Sequence, residues 1–134
     1  MDYVEQWYQG LMASRYQRHP LKRQMEAWGE YHKHLGPRIS HAKVKIALGP
    51  SETLEVQDRL DPAKRALLDR EGCYDQIAFG ALDVMMTSLT AAAPTFALTI
   101  LDIEYDEINS SAMAFRLAAR DATRKIVDET TGGG

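Results

Sequence analysis

The hydrophobic residues of this chain change their spacing at Gly36 and Pro37, and this change limits the folds that the chain can adopt. Before these two residues, apolar side chains recur every three or four positions, which predicts helices. After them, Val44, Ile46 and Leu48 alternate with other residues, which predicts a strand with one buried face. With 134 residues the chain has the size of one domain, so we expect a single α+β unit.

Residues 1–38 are predicted to form a helical arm. Its two helices, over 2–19 and 21–34, are separated by Pro20, because proline lacks an amide proton and disfavours helix in the preceding residue. The apolar stripe of the arm needs a partner surface, which its own domain, a second copy of the chain or a nucleic acid could supply. Five side chains of the arm are candidate partner contacts: Arg15, Arg18, Lys22, Arg23 and Trp28.

Residues 39–129 are predicted to form the domain itself, followed by a flexible tail over 130–134. A second alternation, over residues 54–57, is expected to pair with the first strand as a hairpin. The other expected elements are helices over 63–70, 74–89 and 112–128 and a strand over 95–103. The predicted architecture is a small sheet with helices on one face.

Charge is distributed unevenly along the chain. Residues 1–45 hold eight Lys or Arg against four Asp or Glu, which gives +4, and the remainder carries −7. All four histidines lie in the basic part. This asymmetry favours contact with a partner or packing of one part of the chain on another, and it does not choose between them.

Several classes of function are disfavoured by the composition. The chain has no apolar run near the ~20 residues that cross a bilayer and no signal-peptide pattern at its start, so we expect a cytoplasmic protein without membrane contact. Cys73 is the single cysteine, which excludes an intrachain disulfide. The sequence shows neither a phosphate-binding loop motif nor a nucleophile with a neighbouring base, so we expect no cofactor and favour a protein that is not an enzyme.

His32 and His34 could ligate a metal if their segment were extended. On the predicted helix, however, their rings diverge, because residues two apart do not face each other. The helical prediction therefore implies no metal site.

Residues 99–118 read T-I-L-D-I-E-Y-D-E-I-N-S-S-A-M-A-F-R-L-A. This run resembles the fourth domain of translation elongation factor G, which carries a strand ending in T-L-x-D, a loop Y-H-x-V-D-S-S and a helix beginning x-M-A-F-K-x-A. The residues in register are Thr99, Asp102, Tyr105, Glu107, Ser110, Ser111, Met113, Ala114, Phe115 and Ala118. The resemblance covers about residues 40–128 and includes neither the arm nor a GTPase domain.

The resemblance implies a fold like the second domain of a small-subunit ribosomal protein. It also implies a probe function, because the tip loops of the elongation-factor domain reach the decoding region and hold transfer RNA and messenger RNA. By resemblance, the tip-loop binding residues here are Tyr105, Asp106, Glu107, Asn109 and Ser110. Asp106 stands where the family has histidine, and residues 101–109 hold four acids and no cation. An isolated tip is therefore predicted to repel phosphate.

Three functions remain open at this stage. The leading hypothesis is a non-enzymatic macromolecule-binding protein, associated with the ribosome or with translation, that resembles the isolated tRNA-mimicking domain of elongation factor G. The alternative is an assembly module that keeps the fold without the RNA role, either as a homodimer through residues 1–35 or in a complex with another protein. The third is a small-molecule enzyme on the same fold.

Overall fold

The computed structural model describes residues 3–6, 23–35, 38–70, 72–87, 96–106 and 110–132. Residues 3–6 are helical. The strands are β1 (Met25–Leu35), β2 (Arg38–Pro50), β3 (Glu55–Asp58) and β4 (Phe96–Glu104). The helices are α1 (Pro62–Arg70), α2 (Cys73–Thr87) and α3 (Ala112–Gly132). The prediction of an α+β fold is confirmed.

The four strands form one mixed sheet in the order β1-β2-β4-β3. β2 pairs antiparallel with β1 on one side and with β4 on the other, and β3 pairs parallel with β4. The prediction that the strand near residues 54–57 forms a hairpin with β2 is therefore wrong. Both edges of β2 are already occupied, by β1 and β4, and β3 instead lies on the outer edge of β4.

The prediction of a helix over residues 21–34 is also wrong, because Met25–Leu35 is a strand that pairs with β2 from Met25↔Leu48 to Leu35↔Arg38. The apolar residues of this segment fit both the 3.6-residue spacing of a helix and the two-residue spacing of a strand. A strand places Met25, Ala27 and Tyr31 on one face, where they pack against the core. The hairpin spans the predicted boundary between the arm and the domain. Most of the other arm helix, over 2–19, lies outside the described residues.

The helices pack on the inner face of the sheet. α3 lies on β1 and β2, and α2 packs on α3 and contacts α1. Ala42, Val44, Ile46 and Leu48 on the inner face of β2 are fully buried, whereas Lys43 and Lys45 on its other face are about one-third exposed. Burying the inner face removes apolar surface from water. Each Å² of apolar surface buried stabilises the fold by about 25 cal/mol, which favours this layer arrangement.

Two glycines permit the close approach of α3. A Cβ on Gly29 of β1 would overlap the carbonyl oxygen of Ala118 and lie 2.5 Å from the backbone nitrogen of Ala122. A Cβ on Gly80 of α2 would overlap the carbonyl oxygen of Arg116. Because α3 carries small side chains and these two positions carry none, the backbone of α3 lies directly against the backbones of β1 and α2.

The helix starts agree with the capping residues in the sequence. Oδ1 of Asp61 accepts the backbone N–H of Lys64 at 2.9 Å, and Oγ of Ser111 accepts that of Ala114 at 3.1 Å. α3 continues to Gly132, past the predicted end at 128 and into the segment predicted as a tail, since no proline or glycine interrupts it earlier. In the described part of the chain, no helix combines the length and apolar character needed to cross a bilayer.

Candidate binding site at the end of the β1–β2 hairpin

The β1–β2 hairpin is longer than the strand beside it. β4 pairs with β2 only over residues 43–50, and its last pair joins Glu104 to Lys43. The hairpin continues past that point, from Tyr31↔Ala42 to Leu35↔Arg38. We call residues 31–35 and 38–42 the hairpin end.

The hairpin end is basic. Between residues 31 and 42 the sequence contains Lys33, Arg38 and three histidines and no acid, so its formal charge is +2 with all histidines neutral. The side chains of His32, Lys33 and His34 are exposed. A positive ribbon of this kind attracts phosphate groups.

The ring of His32 lies near two other histidine rings on the outer face of the hairpin end. The ring centre of His32 lies 5.4 Å from that of His34 and 5.3 Å from that of His41. A strand places residues i and i+2 on one face, and His41 is directly opposite His32 in the register. The argument that the rings of His32 and His34 diverge is therefore wrong, because it assumed a helix.

Glu30 forms a hydrogen bond with the ring of His41. Nε2–H of His41 donates to Oε2 of Glu30 at 3.2 Å, and this hydrogen bond holds the pKa of Glu30 below its usual value. The backbone N–H of Glu30 donates to Asp121 of α3 at 3.0 Å. Glu30 is thus tied both to the hairpin end and to the helix layer.

The acids near the end of β4 face lysines. Nζ of Lys64 donates to Oδ1 of Asp102 at 2.5 Å, which lowers the pKa of Asp102 and raises that of Lys64. Glu104 lies 3.9 Å from Lys43 across the sheet. These pairs offset much of the acidity that the linear sequence assigns to residues 101–109, so the expected repulsion of phosphate is weaker than the sequence suggests.

Ser110, a tip-loop residue by resemblance, lies against the hairpin end. Oγ of Ser110 donates to the carbonyl oxygen of His41 at 2.8 Å and accepts the backbone N–H of Asp106 at 3.0 Å. Ser110 is buried, and the ring of Tyr105 stacks on Phe115 with centres 5.9 Å apart. Ser110 and Tyr105 therefore make structural contacts, Ser110 with the hairpin end and Tyr105 with α3. Glu107 and Asn109 lie outside the described residues.

The candidate residues of the arm are only partly described. Arg15, Arg18 and Lys22 lie outside the described residues, and Arg23 is exposed just before β1. Trp28 belongs to the outer face of β1, where Nζ of Lys43 lies 5.2 Å from its ring centre. Trp28 is therefore part of the sheet surface and does not belong to a helical arm.

Two charged clusters were not foreseen from the sequence. Arg116 binds Asp83 through two hydrogen bonds of 2.8 and 2.9 Å, Arg120 adds a third, and the pKa of Asp83 falls to about 2 chiefly because of Arg116. Near β3, Arg65 stacks on Tyr74 at 3.6 Å, and both donate to Asp58. The first cluster joins α2 to α3, and the second joins α1 to β3 and the start of α2.

Comparison with known proteins identifies the fold alone. No family model matches the chain. The crystal structure of a protein from Thermus thermophilus is similar, with a TM-score of 0.67 and 24% sequence identity. The match covers 82% of this chain and 16% of that one. The chain thus corresponds in size and fold to a domain-sized fragment of a much longer protein.

Proposed function

We propose that this chain is a non-enzymatic binding domain that contacts RNA phosphates through the hairpin end, at the ribosome or in a translation-linked complex. The observation that carries the proposal is the absence of acids from residues 31–42, because residues 31–35 and 38–42 of this stretch extend past β4. The resemblance of residues 99–118 to the fourth domain of elongation factor G supports the ribosome as the place of action.

The hairpin end and Ser110 can act as one surface. The hydrogen bond from Ser110 to His41 links them, so an RNA strand on the hairpin end would lie beside a residue that the resemblance assigns to the elongation-factor tip. The sequence of the hairpin end contains two cations, Lys33 and Arg38, which the sequence of the tip loop lacks. A partner with phosphates along its backbone can neutralise several such charges, whereas a partner with one charged group cannot.

The test is co-sedimentation with ribosomes on a sucrose gradient at low salt. Wild-type protein is expected to migrate with ribosomes or a subunit, and Lys33→Gln/Arg38→Gln is expected to remain at the top. The matched control, Arg70→Gln/Arg124→Gln, removes the same charge from two exposed residues of α1 and α3 and is expected to migrate like wild type. Failure of the wild-type protein to sediment would contradict the ribosomal part of the proposal.

A second candidate is the assembly module, which an apolar feature of the helix layer favours. Phe79 and Met86 of α2 and Met113 of α3 are 47%, 60% and 58% exposed. A contiguous patch of exposed apolar side chains is typical of protein-binding surfaces, and this candidate requires that the three side chains belong to one patch. A homodimer through residues 1–35 would need more than strand addition at β1, because Asp121 and Lys125 of α3 already bind its backbone.

Light scattering separates the two candidates. An assembly module is expected to form dimers or larger complexes that the triple variant Phe79→Ser/Met86→Ser/Met113→Ser dissociates, with no effect of Lys33→Gln/Arg38→Gln. An RNA-binding domain is expected to stay monomeric and to respond to the basic variant in RNA binding. A monomer at both low and high salt would remove the homodimer.

A further inference from the structure

We propose that His32, His34 and His41 form a binding site for a divalent transition-metal ion of the Zn²⁺ class. This site lies at the hairpin end but does not depend on RNA binding. The three side chains supply neutral imidazole nitrogens, which are common ligands of Zn²⁺ and of its chemical neighbours.

The strand geometry brings the ligands together. His32 and His34 occupy alternate positions of one strand, and His41 stands directly across from His32 on the next. The observed ring-centre separations are 5.4 and 5.3 Å. Two imidazoles that bind one tetrahedral Zn²⁺ at Zn–N distances of about 2.0–2.1 Å have ring centres about 5.2 Å apart, so the His32–His34 and His32–His41 pairs already have nearly this separation.

Glu30 supplies a supporting interaction typical of metal-bound histidine. Its carboxylate accepts Nε2–H of His41, which leaves Nδ1 of that ring as the nitrogen that can bind metal. A carboxylate behind a ligating imidazole fixes the ring and raises its basicity. Lys43 pairs with Glu30 in the register, and its positive charge repels a bound cation. The negative charge of Glu30 attracts the cation and counters this repulsion.

Closing the site requires side-chain rotation. In the described part of the chain, no three His, Cys, Asp or Glu side chains already surround one metal position. His32 and His34 are exposed, and an exposed side chain changes between staggered rotamers at small cost. Three protein ligands leave a fourth position on a tetrahedral ion, where water or a phosphate oxygen can bind.

The test is titration of the full chain, prepared without an added histidine tag, with Co²⁺ followed by its visible absorption. Wild-type protein is expected to bind one Co²⁺ and to develop the intense bands of four-coordinate cobalt, which equimolar Zn²⁺ then removes. His34→Asn and His41→Asn are each expected to weaken binding at least tenfold, and Glu30→Gln by roughly tenfold. Far-ultraviolet circular dichroism checks that each variant is folded.

The control is His19→Asn, which removes the fourth histidine of the chain and is expected to leave the Co²⁺ affinity unchanged. A wild-type spectrum identical to that of hydrated Co²⁺ would overturn the proposal. Equal loss of affinity in the control would also overturn it, because the metal would then not belong to the three hairpin histidines. RNA affinity measured in EDTA reports on the proposed function alone, so failure of one proposal is distinguishable from failure of the other.

Discussion

Gly29 lies where α3 packs closely on the sheet and leaves no room for a side chain. A Cβ there would meet the backbone of Ala118 and Ala122, which belong to a continuous helix and cannot yield separately. We predict that Gly29→Ala lowers the free energy of unfolding by about 1–3 kcal/mol, the usual cost of overpacking. Urea denaturation monitored by circular dichroism measures the change.

Gly49→Ala is the matched control, because Gly49 also lies in a strand but a Cβ added there would make only ordinary contacts of 3.6 Å and longer with Gln24. It is expected to alter stability little. Equal destabilisation by the two substitutions would show that the loss comes from the strand and not from the contact with α3.

The ionisation of Asp83 makes the free energy of unfolding depend on pH in the acid range. Its pKa is about 2 in the folded protein against a usual 3.8, so the group stabilises the fold fully above its usual pKa and the effect is lost as pH falls toward 2. Asp83→Asn is predicted to cost about 1–2 kcal/mol at pH 7, allowing for solvent screening of a partly exposed group. Denaturation at pH 7, 4 and 2.5 should show the difference from wild type shrinking with acidity, and a constant difference would contradict the account.

At the scale of elements, α3 protects the outer edge of β1. Asp121 accepts the backbone N–H of Glu30, and Lys125 donates to the carbonyl oxygen of Trp28 at 2.9 Å. An edge strand with open backbone groups is a template for pairing with another chain, and these contacts cover part of that edge. The two helix residues also pair with each other at 3.1 Å.

Removing this protection is predicted to expose the edge. Asp121→Ala should accelerate hydrogen exchange of the Glu30 amide, and Asp121→Ala/Lys125→Ala should raise the tendency to self-associate. Exchange measured by NMR and mass measured by light scattering test the two effects. Arg124→Ala, on the same helix, is the control. Unchanged exchange at Glu30 would show that Asp121 does not protect it.

The elements that the sequence predicts well are those with one dominant period. α1 follows the Asp61-Pro62 start, and α3 follows the Ser111 cap. β1 is predicted wrongly because its residues fit both a 3.6-residue and a two-residue period, and pairing with β2 decides between them. The partner of β3 is predicted wrongly because strand alternation says which face is buried and nothing about which strand lies beside it.

At the scale of the whole molecule, charged side chains are paired with residues that lie far away in the sequence. The sequence shows a basic beginning and an acidic remainder, but Asp102 meets Lys64 only in the folded chain. The excess of positive charge in residues 31–42 can be counted from the sequence. The contact between His41 and His32 could not be predicted, because it depends on the register of the β1–β2 hairpin and the sequence predicted a helix in place of β1.

The most direct test of the central claim is the salt dependence of RNA binding by the hairpin end. Fluorescence anisotropy would follow a labelled oligouridylate over a range of KCl concentrations in EDTA. We predict that wild-type affinity falls with salt and that Lys33→Gln/Arg38→Gln binds more weakly with a log–log slope shallower by about 1.4, from two lost phosphate contacts. The control Arg70→Gln/Arg124→Gln should keep the wild-type slope. Equal slopes for wild type and the hairpin variant, or no wild-type binding at low salt, would contradict the account.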